Sequence, residues 1–384
     1  MYNITPNDLN IQLLKDNNYL ESKNLYNIVD RDHILISYKK DKIDITNIET
    51  LGLYRQLIFN NNKLVCFSPP KSISYENFKN NYDISNVELS ELIEGIMICL
   101  YYSNNKWKVS TKNGIELSEK INNMYLDAKC KCNLNYHYLN NTYCYNLILQ
   151  HPKNRIVCPA HNPRLYITNV YSITSNIDNS ISILPINLYG NEIYKLIEFT
   201  SRQVLLPRIY DSKRYSYDNI EDSYMLENNN IYSDMGIGFL KNNVRSKYIN
   251  PLYSNVLDLR SNNPKLQFTY LSLRYNNKVK EYLKYFKEDR IEFSKYRKQI
   301  HKFTKQLFKY YIRWRINREK ELCKYPYEYR THMYMLHEIY INTLLSKKDC
   351  ITYDKTVKYI NNLEPAKLMF SINYNLRLTN RNNI

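Results

Sequence analysis

No run of about 18 consecutive apolar residues occurs in the 384-residue sequence, which excludes a membrane-spanning helix and removes most membrane functions. The opening segment, Met1 to Leu13, lacks the basic-then-apolar form of a secretory leader. A cytosolic chain is therefore expected, in a host cytoplasm or a virion if the source is viral. Glycine is scarce, 6 residues against 40 tyrosines. Asn, Ile, Lys and Tyr are abundant instead, a bias we read as the codon pressure of an AT-rich genome such as that of a large cytoplasmic DNA virus, ahead of a prion-like or disordered chain. The hydrophobic fraction of 43% is ample for a core, and the length predicts two domains.

Paired cysteines are also missing. The eight thiols, Cys66, Cys99, Cys130, Cys132, Cys144, Cys158, Cys323 and Cys350, are scattered along a chain in which disulfides are not expected. Cys130-Lys131-Cys132 with Cys144 and Cys158 has the ligand types of a zinc site but no second close pair, so ordinary half-buried thiols are the better reading. His137, His151 and His161 lie near them without metal-binding spacing and read as polar strand or loop residues. No metal site is expected.

The last third is short of acidic residues. From Lys265 to Ile384 there are 26 Lys and Arg against 11 Asp and Glu, a net +15, while the residues before hold 28 against 26, a net +2. Nearly the whole charge of +17 therefore lies beyond Ser261-Asn262-Asn263-Pro264, which marks a boundary between residues 1–263 and a basic domain, 264–384.

Before that boundary, short β-rich runs alternate with Asn, Asp and Ser turns. Strands are expected at Ile34 to Tyr38, Arg55 to Phe59, Leu64 to Phe67, Ile96 to Tyr102, Trp107 to Thr111, Tyr143 to Gln150, Leu165 to Val170 and Ile181 to Leu184. Helical pieces are expected at Asp8 to Asn17, Asn86 to Leu92 and Asn191 to Arg202, and a mobile loop at Ser212 to Asn230. The fold class is α+β: an antiparallel mixed sheet with helices outside it, followed by an all-helical domain.

In the basic domain the period changes to steps of three and four. Tyr296, Ile300, Phe303, Leu307, Tyr310, Tyr311 and Trp314 share one face of a helix over Ser294 to Asn317, with Phe303 and Trp314 as core. Similar periodicity returns at Tyr334 to Leu344 and at Val357 to Leu363, where Pro365 ends the helix. Lys298, Lys302, Lys305, Lys309 and Arg313 recur along the first helix among aromatics, a pattern that can track phosphates and stack unpaired bases. The bland alternative is a solvated face over a tyrosine-lined core. A charge of +15 in one domain tips the balance to nucleic-acid contact.

One stretch carries the outline of a chemical site. Ile96 to Tyr102 and Trp107 to Thr111, joined by Ser103-Asn104-Asn105, form a hairpin entered by Glu91-Leu92-Ile93-Glu94-Gly95. Upstream stand Tyr54-Arg55-Gln56-Leu57-Ile58-Phe59 and Leu64-Val65-Cys66-Phe67-Ser68-Pro69-Pro70-Lys71. Downstream come Pro152-Lys153-Asn154-Arg155-Ile156-Val157, Met235-Gly236-Ile237-Gly238-Phe239 and Arg245-Ser246-Lys247. In order and spacing, over about two thirds of the chain, this resembles the adenylyltransferase domain of the phage tRNA-repair type of RNA ligase, a covalent nucleotidyltransferase.

The resemblance implies that Arg55, Lys71, Glu94, Gly95, Lys112, Arg155, Gly236 and Lys247 are nucleotide- or phosphate-binding positions, and that Arg55, Lys71, Lys112, Arg155, Arg245 and Lys247 converge. It also locates losses. Leu92 stands where the family has its nucleophilic lysine, Ile148 and Met235 where it has carboxylates, and Arg245 where it has the first lysine of a pair. Leucine offers no amine for attack on an α-phosphate, and Ile148 and Met235 offer no metal ligand. The expectation is a degenerate ligase-like protein that binds RNA or RNA ends, with no cofactor. An active ATP- and Mg-dependent RNA ligase with a relocated nucleophile, Lys71 or Lys112, is the first alternative. A basic structural or nucleic-acid-packaging protein is the second.

Overall fold

In the computed structural model, which describes residues 1–227, 231–260 and 265–382, the β-rich part of the chain forms three antiparallel sheets. In chain order the strands are β1 (Tyr2–Ile4), β2 (Leu25–Asp30), β3 (His33–Tyr38), β4 (Leu57–Asn60), β5 (Lys63–Phe67), β6 (Glu88–Glu91), β7 (Ile96–Ser103), β8 (Lys106–Thr111), β9 (Tyr143–Gln150), β10 (Arg164–Ser175), β11 (Ile181–Pro185), β12 (Ile209–Tyr210), β13 (Gly236–Lys241) and β14 (Val244–Ile249). The largest sheet has the order β1-β11-β10-β9-β7-β8. A second runs β2-β3-β4-β5 and a third β12-β6-β13-β14. The α+β class holds, with three antiparallel sheets in place of the one expected, because β2–β5 pair only among themselves and so do β6, β12, β13 and β14.

Tight turns in this glycine-poor chain are made by asparagine. Asn61-Asn62, Asn104-Asn105 and Asn242-Asn243 all have positive φ, between 44° and 66°, and close the β4–β5, β7–β8 and β13–β14 hairpins. Two successive positive φ values match the twist of the flanking strands, and Asn tolerates them better than other side chains.

The first two sheets pack through Leu35, Ile58, Cys66, Cys99, Tyr101, Ile115 and Cys144. A buried polar thread runs through the same layer: Gln56 Nε2 donates to Ser110 Oγ and to the Thr111 carbonyl, both at 3.0 Å, and Asn146 Nδ2 to the Phe67 carbonyl at 3.0 Å. The other face of the large sheet is covered by the helices Glu119–Lys131 and Asn191–Phe199. The third sheet packs on Phe78 of the helix Tyr75–Asn81 and on Tyr215, Ile220 and Tyr224. Each fully buried residue of this kind contributes about 1.5–3 kcal/mol.

Several expected elements are corrected. Asn86 to Leu92 contains a strand rather than a helix, since Val87 and Leu89 are buried on alternate positions with exposed Glu88 between them. Asp8 to Asn17 holds only a 3-10 turn, because Asp16 caps a new helix, Asn17–Ser22, by accepting from the backbone of Asn18 and Tyr19. Within Ser212 to Asn230, Ile220–Glu227 is helical with Ile220 and Tyr224 buried, so that part is packed; residues 228–230 lie outside the described residues.

By contact density the chain divides into Met1–Asn255 and Val256–Ile384. The charge boundary at Ser261 to Pro264 lies outside the described residues. The second unit is helical, with segments Leu266–Tyr275, Val279–Tyr285, Arg290–Arg315, Tyr327–Ile339, Tyr353–Asn361, Pro365–Ile372 and Tyr374–Asn382. In the 26-residue helix Arg290–Arg315, the residues Phe293, Ile300, Phe303, Thr304, Leu307 and Tyr311 are buried. Trp314, expected in the core, is only half-buried: at the helix end it lies edge-on to His337 with Arg315 over its ring at 4.3 Å. Pro365 does not end a helix but starts one, at the first position, where its missing N–H is not needed.

Candidate functional site

The segment Ser68 to Ile73 is fixed on both sides, and its fixing aims two guanidiniums. The Ser68 N–H donates to the Gln56 carbonyl at 3.1 Å, that of Lys71 to Gly52 at 3.0 Å, and that of Ile73 to Arg245 at 2.8 Å. Between these anchors the prolines have no N–H to offer, but their carbonyls accept from arginines: Arg55 Nη1 at Pro69, 3.4 Å, and Arg245 Nη1 at Pro70, 3.2 Å. Lys71 follows at once. Its Nζ and that of Lys112 lie 5.7 and 5.3 Å from the centroid of the buried Tyr38 ring, a cation-π arrangement. Lys112 Nζ also donates to the Tyr38 hydroxyl at 3.4 Å.

Arg55, Lys71, Lys112, Arg245 and Lys247 therefore face one another. Burial and mutual repulsion together weaken the hold of Arg55, Lys112 and Lys247 on their protons. Partial burial, with the charges of Arg55, Lys40 and Lys71, lowers the Lys112 amine to about 8. Burial and Arg245 lower Arg55. Lys247 as a residue is exposed, yet the protein around its ammonium and the charges of Arg55, Lys71 and Arg245 lower it too. Among the described residues none of the five is ion-paired with a carboxylate.

Of the six cations expected to converge, Arg155 is the one that does not join this set. Its Nε donates to the Val157 carbonyl at 3.1 Å and its charge acts on the Cys158 thiol. It belongs with Glu94, which is 7% exposed and accepts from the N–H groups of Val157 and Cys158 at 3.0–3.2 Å. Glu94 thus anchors the loop after β9. Gly95 and Gly236 have structural reasons to be glycine: φ is +154° and +141°, and an added Cβ would lie 2.5 Å from the Leu149 carbonyl oxygen and 2.1 Å from that of Tyr248.

Leu92 donates its N–H to the Gly236 carbonyl at 3.0 Å, and its side chain lies against Gly238, whose added Cβ would meet Leu92 Cδ2 at 3.1 Å. Ile148 packs toward Gly95, and Met235 accepts from the Asn250 N–H at 3.0 Å. Two carboxylates near these positions, missed in the sequence, share one guanidinium. Arg208 reaches Glu91 at 3.2 Å and Asp234 at 3.7 Å. Burial works against the Arg208 charge, but Glu91 outweighs it and raises the guanidinium; burial raises Asp234. The divalent metal implied by the resemblance does not fit: Glu91 and Glu94 are engaged, and no group of three or more His, Cys, Asp or Glu among the described residues is arranged to hold an ion.

A concavity of about 590 Å³ lined by Lys108, Val109, Ile115, Glu116, Leu117, Glu119 and Asn122 contains none of the five cations. In the helical unit Lys298, Lys302, Lys305 and Lys309 are exposed along Arg290–Arg315, spanning about 17 Å. Arg313, expected with them, is instead half-buried and paired with Glu319 at 3.5 Å. No helix among the described residues is long and apolar enough to cross a membrane.

No protein-family model matches the chain, and no curated protein matches it. Among solved structures, a putative ATP-dependent DNA ligase from Aquifex aeolicus is 14% identical with a TM-score of 0.45, over 74% of this chain and 76% of that one. An archaeal ATP-dependent RNA ligase is 10% identical, TM-score 0.42, over 75% and 78%. A Naegleria gruberi RNA ligase with PPi is 14% identical, TM-score 0.37, over 49% of this chain and 57% of that one. These are loose overlaps.

Proposed function

We propose that this protein binds phosphate-bearing nucleic acid or nucleotide without forming a covalent nucleotidyl intermediate, taking a phosphate group at Arg55, Lys71, Lys112, Arg245 and Lys247. The observation that carries this reading is the un-neutralised cluster itself. Five cations crowded together, three of them with a weakened hold on their protons, destabilise the empty protein, and an anion of charge about −2 or more relieves that cost on binding. Guanidiniums held by backbone carbonyls supply fixed forks for phosphate oxygens. In the helical unit, the exposed lysines of Arg290–Arg315 have by themselves the same preference for the phosphates of RNA or other nucleic acid. The nearest counterpart of a nucleophile, Leu92, has no amine, which supports a binding rather than a transferring role.

The lowered Lys112 amine favours a second reading, covalent nucleotidyl transfer with Lys112 as the relocated nucleophile. Binding of labelled single-stranded RNA, competed by pyrophosphate, tests the first. Pyrophosphate should displace the RNA end from wild type and do so at least tenfold less effectively from Arg245→Ala. Equal competition in both would remove the cluster from the account.

A further inference from the structure

Lys112 stands on a fixed piece of backbone. Immediately after β8, Thr111 and Gly114 exchange N–H to carbonyl bonds, both 3.1 Å, so the side chain leaves a closed turn rather than a loose one. Its Nζ lies 3.4 Å from the Tyr38 hydroxyl, and the charged groups facing it are Arg55, Lys40 and Lys71. A lysine so surrounded is a poor permanent cation. With the amine at about 8, roughly a quarter of it is neutral at pH 7.5, against about a thousandth for an ordinary lysine. A neutral amine is a nucleophile, and its most direct partner in water, needing neither metal nor oxidant, is an aldehyde.

The other four cations decide what kind of aldehyde arrives. Resting on the reading of the cluster as a phosphate site, we propose that Lys112 is a reactive amine that condenses with a phosphate-bearing aldehyde, the phosphate being held by Arg55, Lys71, Arg245 and Lys247. The Nζ lone pair forms a bond to the aldehyde carbon to give a carbinolamine. The carbon–oxygen bond then breaks, the oxygen leaves as water carrying the two protons lost from nitrogen, and an imine remains. Tyr38, whose hydroxyl is kept protonated by burial despite the opposing charge of Arg55, is the neutral donor beside Nζ that can assist departure of the oxygen. Such aldehydes occur as free sugar phosphates in their open-chain form and at abasic positions of a nucleic-acid strand; the chemistry at Nζ is the same for both.

The test is reductive trapping on the full chain. One arm uses pyridoxal 5′-phosphate with borohydride, followed by peptide mapping. The other uses a single-stranded oligonucleotide with one abasic position and cyanoborohydride, followed by a denaturing gel. The expected result is a single dominant adduct on Lys112 in at least one arm, at a rate that rises with pH as the amine loses its proton. Adduct in the oligonucleotide arm assigns the source to a strand; adduct with pyridoxal phosphate alone assigns it to a small ligand. Lys112→Arg, which keeps the charge, should lose labelling at least tenfold, whereas Lys71→Arg should still label. Labelling spread over exposed lysines, or unchanged in Lys112→Arg, overturns the proposal. Pyrophosphate binding measured in parallel separates the two claims: binding without adduct defeats the reactive amine alone, and selective adduct indifferent to pyrophosphate and to Arg245→Ala defeats the phosphate site.

Discussion

Replacing Lys112 with methionine should make the protein more stable and a worse anion binder at once. Burial and its cationic neighbours lower the Lys112 amine from 10.5 to about 8, and a shift of that size corresponds to a ceiling of about 3 kcal/mol against the charged form. The residue is only half-buried, so solvent screening reduces the recoverable amount to about 1 kcal/mol. Methionine keeps most of the aliphatic stem over Tyr38 while removing the charge. In a unit of this size the gain corresponds to about 3 °C in melting temperature. The sign in pH follows from the same shift. The unfolded chain holds its proton between about pH 8 and 10.5 while the folded chain has released it, so the wild type recovers the deficit as pH rises through that window. Thermal melts at low salt, with and without pyrophosphate, provide the assay. Wild type should be stabilised by pyrophosphate more than Lys112→Met, and the difference between the two should shrink at high salt. A methionine variant that melts lower than wild type, or gains as much from pyrophosphate, would refute the reasoning.

Four further outcomes are expected. His332 is buried, with Nδ1 at 2.8 Å from the Tyr359 hydroxyl and Nε2 at 2.7 Å from Ser371 Oγ, and burial lowers it from 6.5 to about 4; its contribution, up to about 3 kcal/mol, is present in full above about pH 6.5 and lost as pH falls toward 4, which hydrogen exchange of Tyr327–Ile339 and Pro365–Ile372 against pH will show as falling protection. Gly95→Ala should cost about 3 kcal/mol or more, read as a lowered denaturation midpoint, since its Cβ would lie 2.5 Å from the Leu149 oxygen and 2.6 Å from Ile148 Cγ2. Changing exposed Lys302, Lys305 and Lys309 to Glu should leave the helical circular dichroism intact and reduce the salt-dependence slope of single-stranded RNA binding by about 2. Leu92→Lys should not create a covalent adenylate, because Ile148 and Met235 remain without carboxylates and Glu91 is held by Arg208; a phosphoramidate mapped to the introduced amine of that variant would show otherwise.

The sheets were readable where β-rich apolar runs were long, as in β7 and β9, and where an Asn pair closed a hairpin, as between β7 and β8. They were unreadable where a strand depends on partners distant in sequence. Val87 to Glu91 is too short and too polar to declare itself, and becomes a strand only between β12 and β13. β1 and β12 have three and two residues, below any useful periodicity. The apolar period of Arg290–Arg315 identified its buried face, but the position of Trp314 at the last turn depended on where the neighbouring helix passes. In the cluster, Arg55, Lys71, Lys112, Arg245 and Lys247 were identifiable by resemblance, yet Tyr38, the ring under two of them, looked like any strand tyrosine. Arg155 was expected there because it is a cation in a distinctive run; its Nε donates to the Val157 carbonyl two residues along the chain.

The most direct test of non-covalent phosphate binding is retention of α-labelled ATP by the full-length protein on a filter, read before and after denaturation. Label held by native wild type, reduced at least tenfold in an Arg55→Ala, Arg245→Ala double variant and released completely on denaturation is the predicted result. Label that survives denaturation would establish a covalent nucleotide and contradict the account, as would a native protein that retains none at low salt.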